Sequence, residues 1–180
     1  MISLGIDYGQ KHKIELSYAR KQCRKFGIPR STVKIHWTKP QRIIPRNRSL
    51  EEMRATISPA FLPGRNAIFL TIGAAEAAGV GATELWIGVN CIDYSGYPDC
   101  RPEFIKAFKY MLEQAIPNGP ELVTPLLLMS KVEIAKEAAR LGLKYGETWS
   151  CYRPIRTSTG IQPCEQCDAC ILHKTAWGVK

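Results

Sequence analysis

The sequence predicts an α/β protein with a mostly parallel sheet, helices on both faces and a metal-binding segment at its C-terminus. Three observations predict it. Short apolar runs alternate with segments of helical period, which is the pattern of βαβ units. One of those runs, ELWIGV (84–89), is continuously apolar, as a strand buried on both faces would be. Four of the seven cysteines crowd into residues 151–170.

The elements follow in order. ISLGID (2–7) reads as a short, mostly buried strand. Residues 11–26 read as a helix, because Leu16, Ala19, Cys23 and Phe26 recur at helical spacing among Lys and Arg. Gly27 and Pro29 end it. STVKIHW (31–37) is a second strand, and Cys23 is expected in the core. Residues 38–64 contain Pro40, Pro45, Pro59 and Pro63 with many basic residues, and read as a long functional loop. From Asn66 to Ala78 the chain is helical and nearly all apolar or small, which predicts a buried helix.

ELWIGV is the predicted central strand, and Pro102 opens a helix running to Ala115. LVTPLL (122–127) is a short strand. Ser130 and Glu133 form a capping-box pattern that starts a helix ending near Gly142. A last short helix falls near 168–177. The expected organisation is an α/β domain over 1–150 with a metal-binding segment, 151–180, packed on it. Ligands of such sheets sit beyond the carboxyl ends of the strands. Here those places are GQKH (9–12), the 38–64 loop and NCIDYSGYPDC (90–100).

Composition bounds the function. The chain has 180 residues, 45% hydrophobic and 23% charged, which is enough to bury a core. No apolar run approaches the roughly 18 residues of a membrane span, and MISLGIDYGQ does not read as a secretory signal. A cytoplasmic protein is expected, with its cysteines reduced. The net charge of +9 is uneven: residues 1–54 hold 13 Lys and Arg against 4 Asp and Glu. That is either a nucleic-acid or phosphate face or a solvated helix with a basic loop. No aromatic stripe interleaves the basic residues, which favours the second.

Cys151, Cys164, Cys167 and Cys170 have the spacing C-x12-C-x2-C-x2-C. Two thiolates from a tight turn, a third opening the next helix and a distant fourth complete the tetrahedral shell of structural zinc, with no open position for water. An iron–sulfur cluster is the competing occupant of four thiolates. A zinc would tie residues 164–170 back to the loop at Cys151.

The loop after ELWIGV places Asp93, Tyr94, Ser95, Tyr97, Asp99 and Arg101 within nine residues, around Gly96. Carboxylates to accept from amino groups and rings to stack on a planar ligand suit a purine-like molecule. A long surface loop is the plainer reading of the same residues. Cys91 and Cys100 flank it, and a structural role suits them as well as a chemical one.

This segment closely resembles the 7-cyano-7-deazaguanine synthases of queuosine precursor synthesis. The matching pieces are DYGQKH (7–12), PGRNAIFL (63–70), IGVNCIDYSGYPDCRPEF (87–104), TPL and SKVEI (124–134), TWSCY (148–152) and CEQCDAC (164–170), in the family's order. The resemblance implies an adenine nucleotide alpha-hydrolase-like, Rossmann-like fold of the ATP-pyrophosphatase type. It also implies an ATP-dependent ligase that converts 7-carboxy-7-deazaguanine and ammonia to the nitrile, with Mg²⁺, one structural zinc and a homodimer. Asp93, Tyr94, Ser95 and Asp99 would face the deazapurine. Arg65 and Asn66, at a helix start, would meet nucleotide or substrate carboxylate, Lys131 a phosphate, and Asp7 and Gln10 the nucleotide side. The four cysteines match the family's zinc ligands.

One part does not match. The family carries a Ser-Gly-Gly-x-Asp-Ser loop that cradles pyrophosphate, and no such motif occurs among these residues. The expected explanation is a shortened reading frame, and a natural short homologue is the other. The catalytic residues are therefore unassigned, and little synthase activity is expected of this polypeptide alone. A missing central strand would also leave an unpaired edge and make the chain prone to associate. The alternative function is a non-catalytic, zinc-stabilised module that binds nucleic acid or deazapurine. A relative that modifies DNA or protein with a deazapurine stands as a third possibility.

Overall fold

In a computed structural model of the chain, residues 1–10, 13–37, 43–91 and 96–179 are described. They divide into two compact units, Met1–Ser49 with Lys131–Lys180, and Leu50–Ser130.

The first unit begins with a βαβ unit. Strand β1 (Ser3–Asp7) pairs in parallel with β2 (Arg30–Lys34), in the register Ser3↔Arg30 to Asp7↔Lys34. Helix α1 (Ile14–Lys25) makes the crossover. Its apolar positions do not produce a deep core: no residue of α1 is fully buried, and Phe26 is half exposed. Cys23, expected in the core, is only half-buried. Strand β2 ends at Lys34 and not at Trp37, although the Ile35 N–H still reaches the Asp7 carbonyl at 2.9 Å.

In the second unit the residues read as one long loop contain a short helix, α2 (Leu50–Ala55). Its acidic first turn, Glu51 and Glu52, and basic last turn, Arg54, complement the helix dipole. Helix α3 (Arg65–Gly79) follows Gly64, whose φ of 72° is a left-handed conformation that glycine adopts without a Cβ clash. It is buried along one face only (Asn66, Leu70, Gly73 and Ala74) and exposed on the other, where full burial was expected. A Cβ on Gly73 would lie 3.1 Å from Leu85 Cδ1, so glycine permits the close approach of α3 to β3 (Glu84–Trp86).

Strand β3 pairs in parallel with β4 (Glu121–Val123), and α4 (Pro102–Ala115) lies between them in sequence. Only three residues of ELWIGV are strand, and Trp86 is 60% exposed. The expectation of a central, doubly covered strand is thus corrected. Among the described residues the pairing is β1–β2, β3–β4 and an antiparallel hairpin, three two-stranded sheets and not one continuous sheet. The α/β class and the parallel pairing stand. The 122–127 segment is strand only to Val123 and then turns.

The core of this unit gathers Leu70, Ala74, Val89, Cys100, Ile105, Phe108, Leu112 and Leu122. Ile105, Phe108 and Leu112 recur at helical spacing on the buried face of α4, while Tyr110 points to solvent.

The chain then returns to the first unit through α5 (Lys131–Arg140) and α6 (Asp168–Trp177), which pack on each other. Between them lies a hairpin that periodicity did not reveal, β5 (Ile155–Thr157) with β6 (Gly160–Gln162), exposed throughout. Among the described residues no helix is long and apolar enough to cross a membrane.

Candidate metal centre and ligand-binding residues

The hairpin brings two distant stretches of sequence together at its root. Cys151 precedes it, Cys164 follows it, and Cys167 and Cys170 bracket the first turn of α6. The four Sγ atoms lie within 4.8 Å of one another. Zinc at the usual Zn–S distance of about 2.3 Å needs sulfur–sulfur edges of about 3.8 Å, so the cluster is close to the size the ion requires. Cys151, Cys167 and Cys170 are buried and Cys164 is half-buried.

Backbone supports the sulfurs. The N–H groups of Arg153 and Cys164 donate to Cys151 Sγ at 3.3 and 3.2 Å. Such donors stabilise a thiolate. Glu165, at a φ of 59°, makes the tight turn between Cys164 and Cys167. Without metal, thiol hydrogen bonds from Cys151 and Cys170 draw negative charge onto Cys167 and hold its pKa far below the ordinary thiol value. The bond to Cys167 pushes Cys151 up to about 11, and Cys170 is raised by its bonds to Cys151 and Cys167. A cation at the centre replaces those protons. The donor set fits a four-thiolate metal.

Residues outside the cysteine motif grip this knuckle. Arg48 Nη1 lies 2.8 Å from Asp168 Oδ2, with side chains only 12% and 8% exposed. The Asn47 N–H donates to the Gln166 carbonyl at 2.8 Å, and Ile44 packs on the cysteines. Trp149 Nε1 donates to the Cys151 carbonyl at 2.9 Å, and its ring lies 5.2 Å from the Tyr18 ring at a tilt of 47°. Sequence reasoning missed Arg48, Asn47 and Ile44, which lie about a hundred residues from the cysteines. The available signal was Asp168, an acid inside the CEQCDAC motif.

Of the expected ligand-binding residues, Asp93, Tyr94 and Ser95 lie outside the described residues. Asp99 and Asn66 are brought into contact. Asn66 N–H donates to Asp99 Oδ2 at 3.0 Å, and Asn66 Nδ2 donates to the Asp99 carbonyl at 2.9 Å. Both residues are 6% exposed. Asp99 therefore supplies the anion at the start of α3. Arg65 lies beside them at the first position of the helix, its guanidinium over the Phe69 ring.

Asp7 and Gln10 share the turn after β1. The Asp7 carboxylate is held below its usual pKa by Lys13 Nζ, 2.9 Å away, and by the Gly9 N–H. Gln10 is 2% exposed and bonded within its own segment, accepting from the Tyr8 N–H and donating to Glu15. Lys131 is half-buried at the first position of α5. Cys91 Sγ donates to the Leu127 carbonyl at 3.0 Å, and Cys100 Sγ accepts from Asn66 Nδ2 at 3.2 Å, so both cysteines join chain segments. Asn90 Nδ2 adds a bond to the Met129 carbonyl.

Comparison with known proteins agrees with the resemblance in the motifs. The family model described as "Queuosine biosynthesis protein QueC" matches residues 1–179. The chain is 55% identical over 175 residues to the 7-cyano-7-deazaguanine synthase 2 of Rhodopseudomonas palustris (strain HaA2), covering 97% of this chain and 83% of that one. It is 40% identical over 185 residues to a 7-cyano-7-deazaguanine synthase of Leptospira interrogans (96% and 74% covered). It is 37% identical over 186 residues to one of Myxococcus xanthus (96% and 80%). With a family match along nearly its whole length and four cysteines assembled as one metal-ligand set, this chain belongs to the queuosine biosynthesis QueC family.

Proposed function

We propose that the protein acts as a 7-cyano-7-deazaguanine synthase, an ATP-dependent ligase that joins ammonia to 7-carboxy-7-deazaguanine and dehydrates the product to the nitrile. The observation that carries this reading is the 55% identity to a synthase of that name over nearly the full chain. In the proposed reaction the carboxylate attacks the α-phosphate of ATP and pyrophosphate leaves. Ammonia then displaces AMP to give the amide. A second adenylation, on the amide oxygen, turns that oxygen into a leaving group, and loss of AMP and a proton gives the nitrile. Mg²⁺ would accompany ATP, and the zinc would be structural because four thiolates leave it no open position.

Roles follow the residue types. Asp93, Tyr94 and Ser95 would hold the deazapurine. The Arg65 guanidinium would meet the carboxylate or a phosphate, and Lys131 a phosphate. Asp7 would lie toward the nucleotide. The active form would be a homodimer in the cytoplasm.

The pyrophosphate-cradling Ser-Gly-Gly-x-Asp-Ser loop does not occur in these 180 residues, so slow turnover is expected of this polypeptide by itself. The test measures two things on the purified chain: calorimetric binding of 7-carboxy-7-deazaguanine, and AMP and nitrile formation with ATP and ammonia. Binding with slow turnover supports the whole reading. Robust turnover removes the inference from the missing loop. Absence of deazapurine binding, together with a salt-dependent affinity for RNA or DNA, favours a zinc-stabilised nucleic-acid module instead.

A further inference from the structure

Helix α3 has no side-chain cap at its N-terminus. Its N-cap is Gly64, which has no side chain, and its first turn contains no acid. The orphan N–H groups of that turn carry partial positive charge and need an acceptor. One acceptor comes from 33 residues away, where the Asp99 carboxylate takes the Asn66 N–H at 3.0 Å. The bond is reciprocated, since Asn66 Nδ2 returns to the Asp99 carbonyl (2.9 Å) and Cys100 Sγ (3.2 Å). The Phe61 and Tyr97 rings, 5.0 Å apart, extend the same seam. Two segments are thereby clasped, one leading into Arg65 and the other following the polar loop.

We propose that Asp99 and Asn66 are positioning residues for deazapurine binding, acting through this clasp and not by touching the ligand. The proposal rests on the synthase reading. Its logic is geometric: both side chains are buried and bonded to each other, and the helix start that they fix carries the Arg65 guanidinium. Asp99 is thus separated in role from Asp93, although both belong to one motif.

The experiment uses the full chain and 7-carboxy-7-deazaguanine as the probe, with binding by calorimetry and amide hydrogen exchange at the start of α3. Asp99→Ala and Asn66→Ala should each weaken binding about tenfold, and the double variant should be no weaker than the worse single, as for residues of one coupled pair. Asp99→Asn keeps an acceptor oxygen for the Asn66 N–H and should restore affinity to within about threefold of the parent. Exchange should quicken in Asp99→Ala and not in Asp99→Asn. Multiplying losses, or an Asp99→Asn variant as weak as Asp99→Ala, would mark a direct ligand contact and overturn the proposal. So would quickened exchange with unchanged binding. If the parent chain binds no deazapurine, the synthase reading fails and takes the positioning role with it, while exchange still reports whether the clasp exists.

Discussion

At the residue scale, the buried pair Arg48–Asp168 does more than its sequence position suggests. Removing one member of a buried ion pair strands the other in a poor solvent for charge and costs about 3 kcal/mol or more. Arg48→Ala should therefore lower the unfolding free energy of the metal-loaded chain by about 3 kcal/mol or more. A cycle with Asp168→Asn should show a coupling of about 1–3 kcal/mol. Denaturant titration of the four proteins checks this, and additive losses would show that the pair does not act as one. By residue type, Asp168 is only an acid in the first turn of a helix. Its partner was illegible, because nothing in the neighbourhood of Arg48 distinguishes it from the other basic residues of its segment. Gln10 adds a detail that residue type does not carry: a polar residue at a strand end suggests a ligand, and the structure shows its side chain buried and bonded to Tyr8 and Glu15.

At the element scale, the cysteine knuckle was the most legible part of the chain, because ligand spacing encodes its geometry directly. The strands were the least legible. ELWIGV reads as doubly buried, but an apolar run records what a segment can bury and not which neighbours cover it, and Trp86 stays exposed. The hairpin of Ile155–Gln162 escaped for a related reason, since its exposed residues leave no hydrophobic period. The knuckle also carries a pH prediction. Without metal, hydrogen bonds from its neighbours favour the thiolate form of Cys167, while the bond to Cys167 pushes Cys151 up to about 11 and the bonds to Cys151 and Cys167 raise Cys170. A zinc ion bound there would displace the protons of the thiols that become its ligands. Its affinity should rise steeply with pH across the neutral range, because every thiol that becomes a ligand gives up its proton, and fall as the solution is acidified. Competition with a chromophoric chelator from about pH 6.5 to 8.5 measures the slope, and a pH-independent affinity would contradict the arrangement.

At the scale of the whole molecule, the two units are stabilised by different means. Leu50–Ser130 contains the aliphatic core: Leu70, Val89, Ile105, Leu112 and Leu122, with Phe108. In the other unit, among the described residues, the buried hydrophobics are Tyr8, Ala135 and three cluster cysteines. A fully buried Leu or Phe contributes about 1.5–3 kcal/mol each, so that second core lacks a contribution which the first has several times over. Its cysteines are buried, and they repay that burial best when a cation joins them, because metal binding to a site formed only in the folded state adds directly to folding free energy. The segments Met1–Ser49 and Lys131–Lys180 should accordingly be the metal-dependent part of the protein. Stripping the metal with a chelator should speed amide exchange in β1, β2 and α6 while the amides of Leu70, Ile105, Leu112 and Leu122 keep most of their protection. Cys167→Ser, which removes the most buried ligand, should reproduce that pattern without chelator. Equal loss of protection in both units would mean that they unfold as one, and unchanged protection in the first would mean that its few buried side chains suffice without the metal.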